Sequence, residues 1–315
     1  MKAIEVREFG GLDVLTHTDV PVPSPGAGQV LVRVRAAGVG PWDAWVREGR
    51  SVLPQPLPLI PGSDLSGVIE TVGPGVPDFS VGEPVYGVTN PRFTGAYAEF
   101  AIAEAGMIAP KPDRLTDAEA ASVPVIATTA WQMLFDHAGL KPGHRVLVLG
   151  GGGNVGAYAV RLAAWADGEV AATASADDAD FVRSLGAQEV IDARSGGLVG
   201  FPCPFDIVID TVGEPLLGQS YALVRPGGAI ISAVATPDQA FATRHQVRAK
   251  FILVAVNTPG LLRLAALFDD GTLQARVGET LPLSEARAAH EMLAGRLHKP
   301  GKIVLLPGMC ALPSV

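Results

Sequence analysis

A run of glycines near the middle of the chain restricts the fold more than any other feature. Residues 145–149 read Arg-Val-Leu-Val-Leu, a short apolar stretch suited to a buried parallel strand. Gly150-Gly151-Gly152-Gly153-Asn154-Val155-Gly156 follows. From Ala157 to Ala166 apolar residues fall at helical spacing, with Val155, Ala159 and Leu162 on one face. Gly151, Gly153 and Gly156 fit G-x-G-x-x-G between a strand and a helix, the context in which the pattern signals dinucleotide binding. The first glycine permits the tight turn, the second lets backbone approach a pyrophosphate, and the third lets the helix sit close to the strand. Free N–H groups at the helix start then face the phosphates.

With 315 residues the chain has room for about two domains. Hydrophobic residues at 48% against 18% charged predict a large core. Glycines and prolines are spread along the chain, which argues against a low-complexity segment. The net charge of −8, with no lysine/arginine cluster, disfavours nucleic acid and anionic membranes as partners. The start, Met1-Lys2-Ala3-Ile4-Glu5-Val6, does not read as a signal peptide. Apolar runs such as 251–256 fall far short of the roughly 20 residues of a membrane helix. Cys203 and Cys310 are too few for a disulfide framework or a zinc site and read as a loop thiol and a tail thiol. A reducing cytoplasm is the expected compartment.

The first ~120 residues read as mostly β. Residues 29–34 alternate, with Val30, Val32 and Val34 on one face, and Pro-Gly and Gly-Pro turns recur at 25–26, 61–62, 73–75 and 82–84. One short helix is expected around 42–48. After Thr116, a plausible N-cap, helices are expected over 117–123 and 129–138, the second stopped by Gly139. Strands at 170–174, 189–192, 206–210, 229–234 and 251–256 alternate with helices over 178–185 and after Pro215, which predicts a parallel sheet covered on both faces. Two more helices start at Thr258-Pro259 and Ser284-Glu285 and end at Gly271 and Gly295. A last strand, 302–305, has no evident parallel partner in its own region and is expected to return to the first domain.

Several landmarks resemble one family. They are Arg35-Ala36-Ala37-Gly38-Val39 with Pro41 and Asp43, Pro61-Gly62-Ser63-Asp64-Leu65-Ser66-Gly67, and Gly95-Ala96-Tyr97-Ala98-Glu99-Phe100. Thr129-Ala130-Trp131-Gln132, Ser184-Leu185-Gly186-Ala187 with Val190-Ile191-Asp192, and Gly301-Lys302-Ile303-Val304-Leu305 complete the set. In order and spacing the chain resembles the zinc-independent, zeta-crystallin-like quinone oxidoreductases of the medium-chain dehydrogenase/reductase superfamily. The resemblance implies an α/β fold, a Rossmann doubly wound parallel sheet inserted into a chaperonin-10-like β-barrel domain, with a cleft between the two. It places the catalytic domain at 1–121 plus 259–315 and the dinucleotide-binding domain at 122–258.

Zinc-dependent relatives of that family carry a cysteine where this chain has Gly40 and a His-Glu pair where it has Ser63-Asp64. No thiol or imidazole stands near 125–129, and histidines 17, 137, 144, 245, 290 and 298 show no ligand spacing. No metal is therefore expected. Reducing a plain ketone creates alkoxide charge that wants a Lewis acid or a proton donor. A quinone or an α,β-unsaturated carbonyl instead spreads the charge by conjugation, so these are the expected substrates.

The expected roles follow. Gly151, Gly153, Asn154, Val155 and Gly156 cradle the pyrophosphate. Thr129 matches the family position that meets the nicotinamide amide, or it caps a helix. Val212 and Gly213, and Val234 and Ala235, follow strands whose carboxyl ends are where ligands bind in open sheets. Lys302 either neutralises phosphate from the other domain or is solvated. Trp45 takes the place of a common family tyrosine, and Gly40 that of a usual asparagine. Trp42, Asn90 and Phe93 are further candidates for the substrate wall, with Asn90 able to bond a carbonyl, while Trp42 and Trp45 read equally as core aromatics of one helix.

No acid stands at Thr173-Ala174-Ser175, where an NAD-type fold would place one, and Ser175 suits a 2′-phosphate. NADPH is therefore expected ahead of NADH, although Asp177-Asp178 replaces the basic residue expected there and Ala193 the usual tyrosine. Arg183 and Arg194 are the candidates to compensate. The alternatives to a reductase of quinones or enones are a cofactor-binding redox sensor or structural protein with little turnover, and an enoyl-thioester reductase. The apolar edge run 250–256 predicts a two-fold homodimer by antiparallel pairing.

Overall fold

The computed structural model describes residues 1–192, 197–198 and 204–309. Cys203, Cys310, Ala193 and Arg194 lie outside the described residues. The chain divides into two compact units, residues 1–125 with 256–315, and residues 126–255.

In the first unit, Gln29–Val39 is the strand around which the rest is built. It pairs antiparallel with Asp64–Val72 along one edge. Its other edge is shared between Phe100–Glu104 at its start and Lys302–Leu306 at its end. The sheet continues from Asp64–Val72 to Pro84–Val88 and Ile108–Pro110. The core holds the inward residues Val30, Val32, Val34, Leu65 and Ile69 with Tyr97 and Ile108. The helix Asp117–Ser122 begins at a capping box: Thr116 Oγ1 accepts from Glu119 N, and Glu119 Oε2 accepts from Thr116 N at 2.9 Å. The strand Lys302–Leu306 does reach the first part of the chain, but it also has a parallel partner nearby, Val277–Pro282, against the sequence expectation. That segment, Val-Gly-Glu-Thr-Leu-Pro, breaks period-2 patterning with Gly278 and ends in proline.

The second unit is a six-stranded parallel sheet. In spatial order its strands are Glu189–Ile191, Glu169–Thr173, Arg145–Leu149, Phe205–Asp210, Val224–Ser232 and Arg248–Phe251. In chain order that is third, second, first, fourth, fifth, sixth, and the connection reverses beside Arg145–Leu149, where open α/β sheets bind ligands. Val146, Leu147, Val148 and Leu149 are all fully buried, as expected of a strand covered on both faces.

In several places the second unit differs from the sequence expectation. The helix placed at 129–138 starts at Pro124, so Thr129 is an interior residue and not an N-cap. From Gln132 to Ala138 it widens to π geometry before Gly139 ends it with a φ of 71°. The edge strand is Arg248–Phe251, not 251–256. The Gln132 amide donates to Ala255 O at 2.7 Å and accepts from Ala255 N at 3.1 Å, so a side chain supplies what a strand partner would have supplied. The helix Gln239–His245 was not anticipated. Its signal is Asp238, whose carboxylate accepts from Ala240 N and Phe241 N.

Candidate functional site

The glycine turn joins Arg145–Leu149 to the helix Asn154–Trp165. Its left-handed residue is Gly150, with a φ of 85°, one position before the first glycine of the motif. The turn is pinned by Thr173, whose Oγ1 accepts from Gly150 N at 2.9 Å and whose carbonyl accepts from Gly151 N at 2.7 Å. A Cβ on Gly151 would stand 2.9 Å from Ala172 Cβ. One on Gly156 would stand 2.0 Å from the Gly150 carbonyl oxygen, so that helix turn and loop approach as only glycine allows. Gly153 is the N-cap residue and has no side chain to cap the helix, and among the described residues no other side chain does so. The N–H groups of Asn154, Val155 and Gly156 thus open the helix without a side-chain acceptor, which is the donor set an anion wants.

Two turns that flank this one are tied together by a buried carboxylate that the sequence reading did not single out. Asp210 is fully buried. Its Oδ1 accepts from Val212 N at 3.0 Å and Gly213 N at 2.8 Å, and its Oδ2 accepts from Ser232 Oγ at 2.7 Å. Ser232 Oγ in turn accepts from Val234 N at 3.2 Å and Ala235 N at 3.0 Å. Thr211 Oγ1 donates to Leu149 O at 2.7 Å. This network holds Val212 and Val234 with their side chains nearly half exposed, at 48% and 42%. Two apolar residues are thus held out at the carboxyl ends of strands, where open α/β sheets bind ligands. Polar residues closing otherwise apolar strands (Asp210, Ser232, Thr173) were the readable signal. Thr129 is 6% exposed within its helix.

Ser175 is not a free hydroxyl. It donates to Asp178 Oδ2 at 2.8 Å and accepts from Asp178 N at 3.3 Å, capping the short turn Ala176–Asp178. Arg183 pairs with Asp180 Oδ1 at 2.8 Å.

In the first unit, Gly40 is the N-cap of the helix Pro41–Arg47, which carries Trp42 and Trp45. The two indoles meet edge-on at 6.2 Å, and Trp42 meets Phe93 edge-on at 5.9 Å. Phe93 is buried with a φ of 58°, a backbone position rare outside glycine. Trp45 is 38% exposed, while Trp42 Nε1 is buried with no acceptor among the described residues. Asn90 has both ends of its amide committed: Nδ2 donates to Thr94 O and Oδ1 accepts from Arg92 N. It builds the turn that presents Phe93, and a carbonyl ligand would have to compete with those bonds.

Beneath that helix is a buried polar group. Asp43 Oδ2 accepts from Gly40 N and from the Tyr97 hydroxyl, both at 2.8 Å. Burial lifts the Asp43 carboxyl to about 6, and the same burial pushes the Tyr97 phenol far up. Lys302 is 3% exposed, and its Nζ lies 3.2 Å from Asp64 Oδ2. That sets aside the solvated alternative. A Cβ on Gly40 would stand 3.1 Å from Lys302 Nζ. An ammonium therefore occupies the surroundings of Gly40 and Asp64.

Residues 26–113 match the family model described as an alcohol dehydrogenase GroES-like domain, and residues 185–305 the one described as zinc-binding dehydrogenase. The Spinacia oleracea chloroplast protein named quinone-oxidoreductase homolog is 31% identical across 98% of this chain and 98% of its own. The chain belongs to the zeta-crystallin-like quinone oxidoreductase branch of the medium-chain dehydrogenase/reductases. An Arabidopsis thaliana member, a chloroplastic NADPH-dependent alkenal/one oxidoreductase, is 32% identical across 98% of this chain and 80% of its own. The solved quinone oxidoreductase of Coxiella burnetii matches with a TM-score of 0.90 and 32% identity, covering 97% of this chain and 99% of that one. This member of the family is thus an oxidoreductase of the pyridine-nucleotide-dependent kind. Among its described residues no group of three or more His, Cys, Asp or Glu stands where it could hold a metal ion, and no helix is long and apolar enough to cross a membrane.

Proposed function

We propose that the chain passes hydride from a reduced nicotinamide dinucleotide to a quinone or to an α,β-unsaturated ketone or aldehyde, without a metal ion. The observation that carries this is the uncapped helix start at Asn154 beside the two exposed valines that Asp210 and Ser232 hold in place. On this reading residues 122–258 form the nucleotide-binding domain, and 1–121 with 259–315 the catalytic one.

When bound, the nucleotide would supply the hydride. The chain's own contribution is placement. Gly151 and Gly153 let backbone approach the diphosphate, and the N–H groups of Asn154, Val155 and Gly156 point at it. Val212, Val234 and Ala235 form the seat for the ring, and Thr129 is the candidate to orient its amide. On the substrate side Trp42, Trp45 and Phe93 make an aromatic wall of rings set edge-on to one another, offered to a conjugated acceptor, while the space beside Gly40 is taken by Lys302. With Asn90 occupied in its turn, Trp42 Nε1 is a candidate donor to a carbonyl oxygen once a shift of the aromatic wall uncovers it. The metal-free reading is supported by residue chemistry. Gly40 offers no ligand, and the Asp64 carboxylate already has a fixed cation in Lys302. The names of the relatives, quinone oxidoreductase and alkenal/one oxidoreductase, favour the same acceptors.

The test is to mix the purified chain with reduced nucleotide and a panel of quinones and enones, and to follow the dihydronicotinamide absorbance before and after dialysis against a chelator. Turnover that survives the chelator is expected. Tight nucleotide binding with no turnover across the panel would favour the sensor instead.

For assembly we propose a two-fold homodimer through antiparallel pairing of the edge strand Arg248–Phe251, where Phe251 and Leu253 are exposed at 37% and 42%. A monomeric mass by light scattering at micromolar concentration would refute it.

A further inference from the structure

The side chain that meets the adenosine end of the nucleotide can be read from the turn after the second strand of the sheet. This step rests on the proposed nucleotide binding. The sequence rule looks for an acid at the end of that strand, about 20 residues past the glycines, and finds Ser175. The structure places an acid there by another route. The strand Glu169–Thr173 is followed by the short helical turn Ala176–Asp178, which folds Asp178 back over the glycine loop. Its Cβ, Cγ and Oδ2 lie 2.8–2.9 Å from where a Cβ on Gly152 would stand. Only a residue without a side chain at 152 leaves the carboxylate that room.

A serine hydroxyl has one proton to give. Ser175 gives it to Asp178 Oδ2 at 2.8 Å. A 2′-phosphate seated on Ser175 would therefore meet lone pairs, not a donor, and would stand beside a carboxylate. Asp177 precedes it in the same turn. Of the two basic candidates, Arg183 is turned to Asp180 at 2.8 Å, and Arg194 lies outside the described residues. A phosphate monoester brings about −1.5 to −2 charges at neutral pH. A ribose hydroxyl, by contrast, is a donor, and a carboxylate held in place by Ser175 is its natural acceptor.

We propose that Asp178, positioned by Ser175 against Gly152, is the residue that selects the nucleotide, accepting a hydroxyl of the adenosine ribose and turning away a 2′-phosphate, so that this chain prefers NADH to NADPH. This reverses the expectation drawn from Ser175 in the sequence and sets the chain apart from its NADPH-named relative.

The test is a calorimetric titration of the whole chain with NADH, NADPH and 2′-deoxy-NADH, repeated with Asp178→Asn. NADH is expected to bind at least about tenfold more tightly than NADPH, and 2′-deoxy-NADH several-fold more weakly than NADH. In Asp178→Asn the gap between NADH and NADPH should shrink by about tenfold, chiefly because NADPH binds better. Raising salt from about 50 to about 500 mM should narrow the gap in the natural chain and leave the variant little changed, since salt screens a repulsion. NADPH binding as tightly as NADH to the natural chain would overturn the inference. So would an NADH preference that Asp178→Asn leaves intact. Because 2′-deoxy-NADH and the salt series need no substitution, they decide the matter even if the variant does not fold. Failure of either nucleotide to bind would instead overturn the nucleotide reading itself.

Discussion

Lys302 Nζ and Asp64 Oδ2 stand 3.2 Å apart with 3% and 4% of their residues exposed, a charge pair taken almost wholly out of water. Asp64 Oδ1 is occupied as well, accepting from Val125 N at 2.9 Å. The lysine has room because the strand beneath it carries glycine: a Cβ on Gly38 would stand 3.3 Å from Lys302 Cε and 2.9 Å from Asp64 Cβ. Burial raises the Asp64 carboxyl and the lysine charge lowers it again, so each member keeps the other tolerable.

Removing one member alone is therefore expected to cost more than removing both. Lys302→Met should destabilise the chain by about 3–5 kcal/mol, the usual result of leaving a buried charge alone. Lys302→Met with Asp64→Leu should recover most of that loss. Thermal unfolding of the three chains checks it. Equal losses for the single and the double substitution would show that the pair does not act as a unit.

The network under the turns at 210–213 and 232–235 gives a second expectation. Asp210→Ala strips acceptors from Val212 N, Gly213 N and Ser232 Oγ at once. Each buried donor left unpaired costs about 1–3 kcal/mol, so the melting point should fall clearly. With the turns loosened, the dissociation constant for reduced nucleotide should rise about tenfold or more. Asp210→Asn keeps the acceptor for Val212 N and Gly213 N but turns an amide donor toward Ser232 Oγ, whose lone pairs already take Val234 N and Ala235 N, so it should recover only part of both losses. Nucleotide affinity unchanged in Asp210→Ala would mean that the turns keep their shape without it.

How much of the fold and site is legible in the sequence depends on whether the signal is local. The glycine turn, the caps at Thr116 and Gly139 and the strand 145–149 announce themselves within a few residues, and the family landmarks carry the architecture. What escapes depends on distant partners. The Gln132 amide ends the edge strand early by serving Ala255, more than a hundred positions away. Val277–Pro282 becomes a strand because Lys302–Leu306 lies beside it. Asp210 and Ser232 can be suspected as polar ends of buried strands, but not their mutual bond. Ser175 shows a hydroxyl in the sequence, but not that its proton goes to Asp178.

Trp42 offers a third test, on the substrate side. Its Nε1 is buried without an acceptor, an arrangement that costs stability unless something else uses the donor. Trp42→Phe removes the donor and keeps most of the ring packing against Trp45 and Phe93. The melting point should hold or rise slightly. If Nε1 bonds the carbonyl of the acceptor, kcat/KM for a quinone should fall about three- to tenfold, the worth of one hydrogen bond. Unchanged kcat/KM would return Trp42 to the role of a core aromatic.

Asp43 and His290 set opposite dependences on pH. Burial lifts the Asp43 carboxyl from 3.8 to about 6, against the pull of the Gly40 N–H, Lys302 and Tyr97. Its protonated form is favoured by folding, so its stabilising contribution is complete below about pH 4 and is lost as pH rises through about 6. His290 is pushed down from 6.5 to about 3 by burial and by the Arg47 guanidinium, which lies 3.0 Å from its Nδ1. It stays neutral when folded, so its contribution is complete above 6.5 and is lost as pH falls toward about 3. Between about pH 4 and about 6 each contributes a slope worth about 3 kcal/mol, of opposite sign, and the two cancel in the natural chain. Asp43→Asn leaves the histidine uncompensated, so relative to the natural chain its melting point should sink as pH falls from 6 to 4. His290→Gln leaves the carboxyl uncompensated, and its relative melting point should climb over the same interval. The two difference curves should therefore cross that window with slopes of opposite sign. Parallel curves would mean that one of the two groups titrates in the folded chain much as it does unfolded.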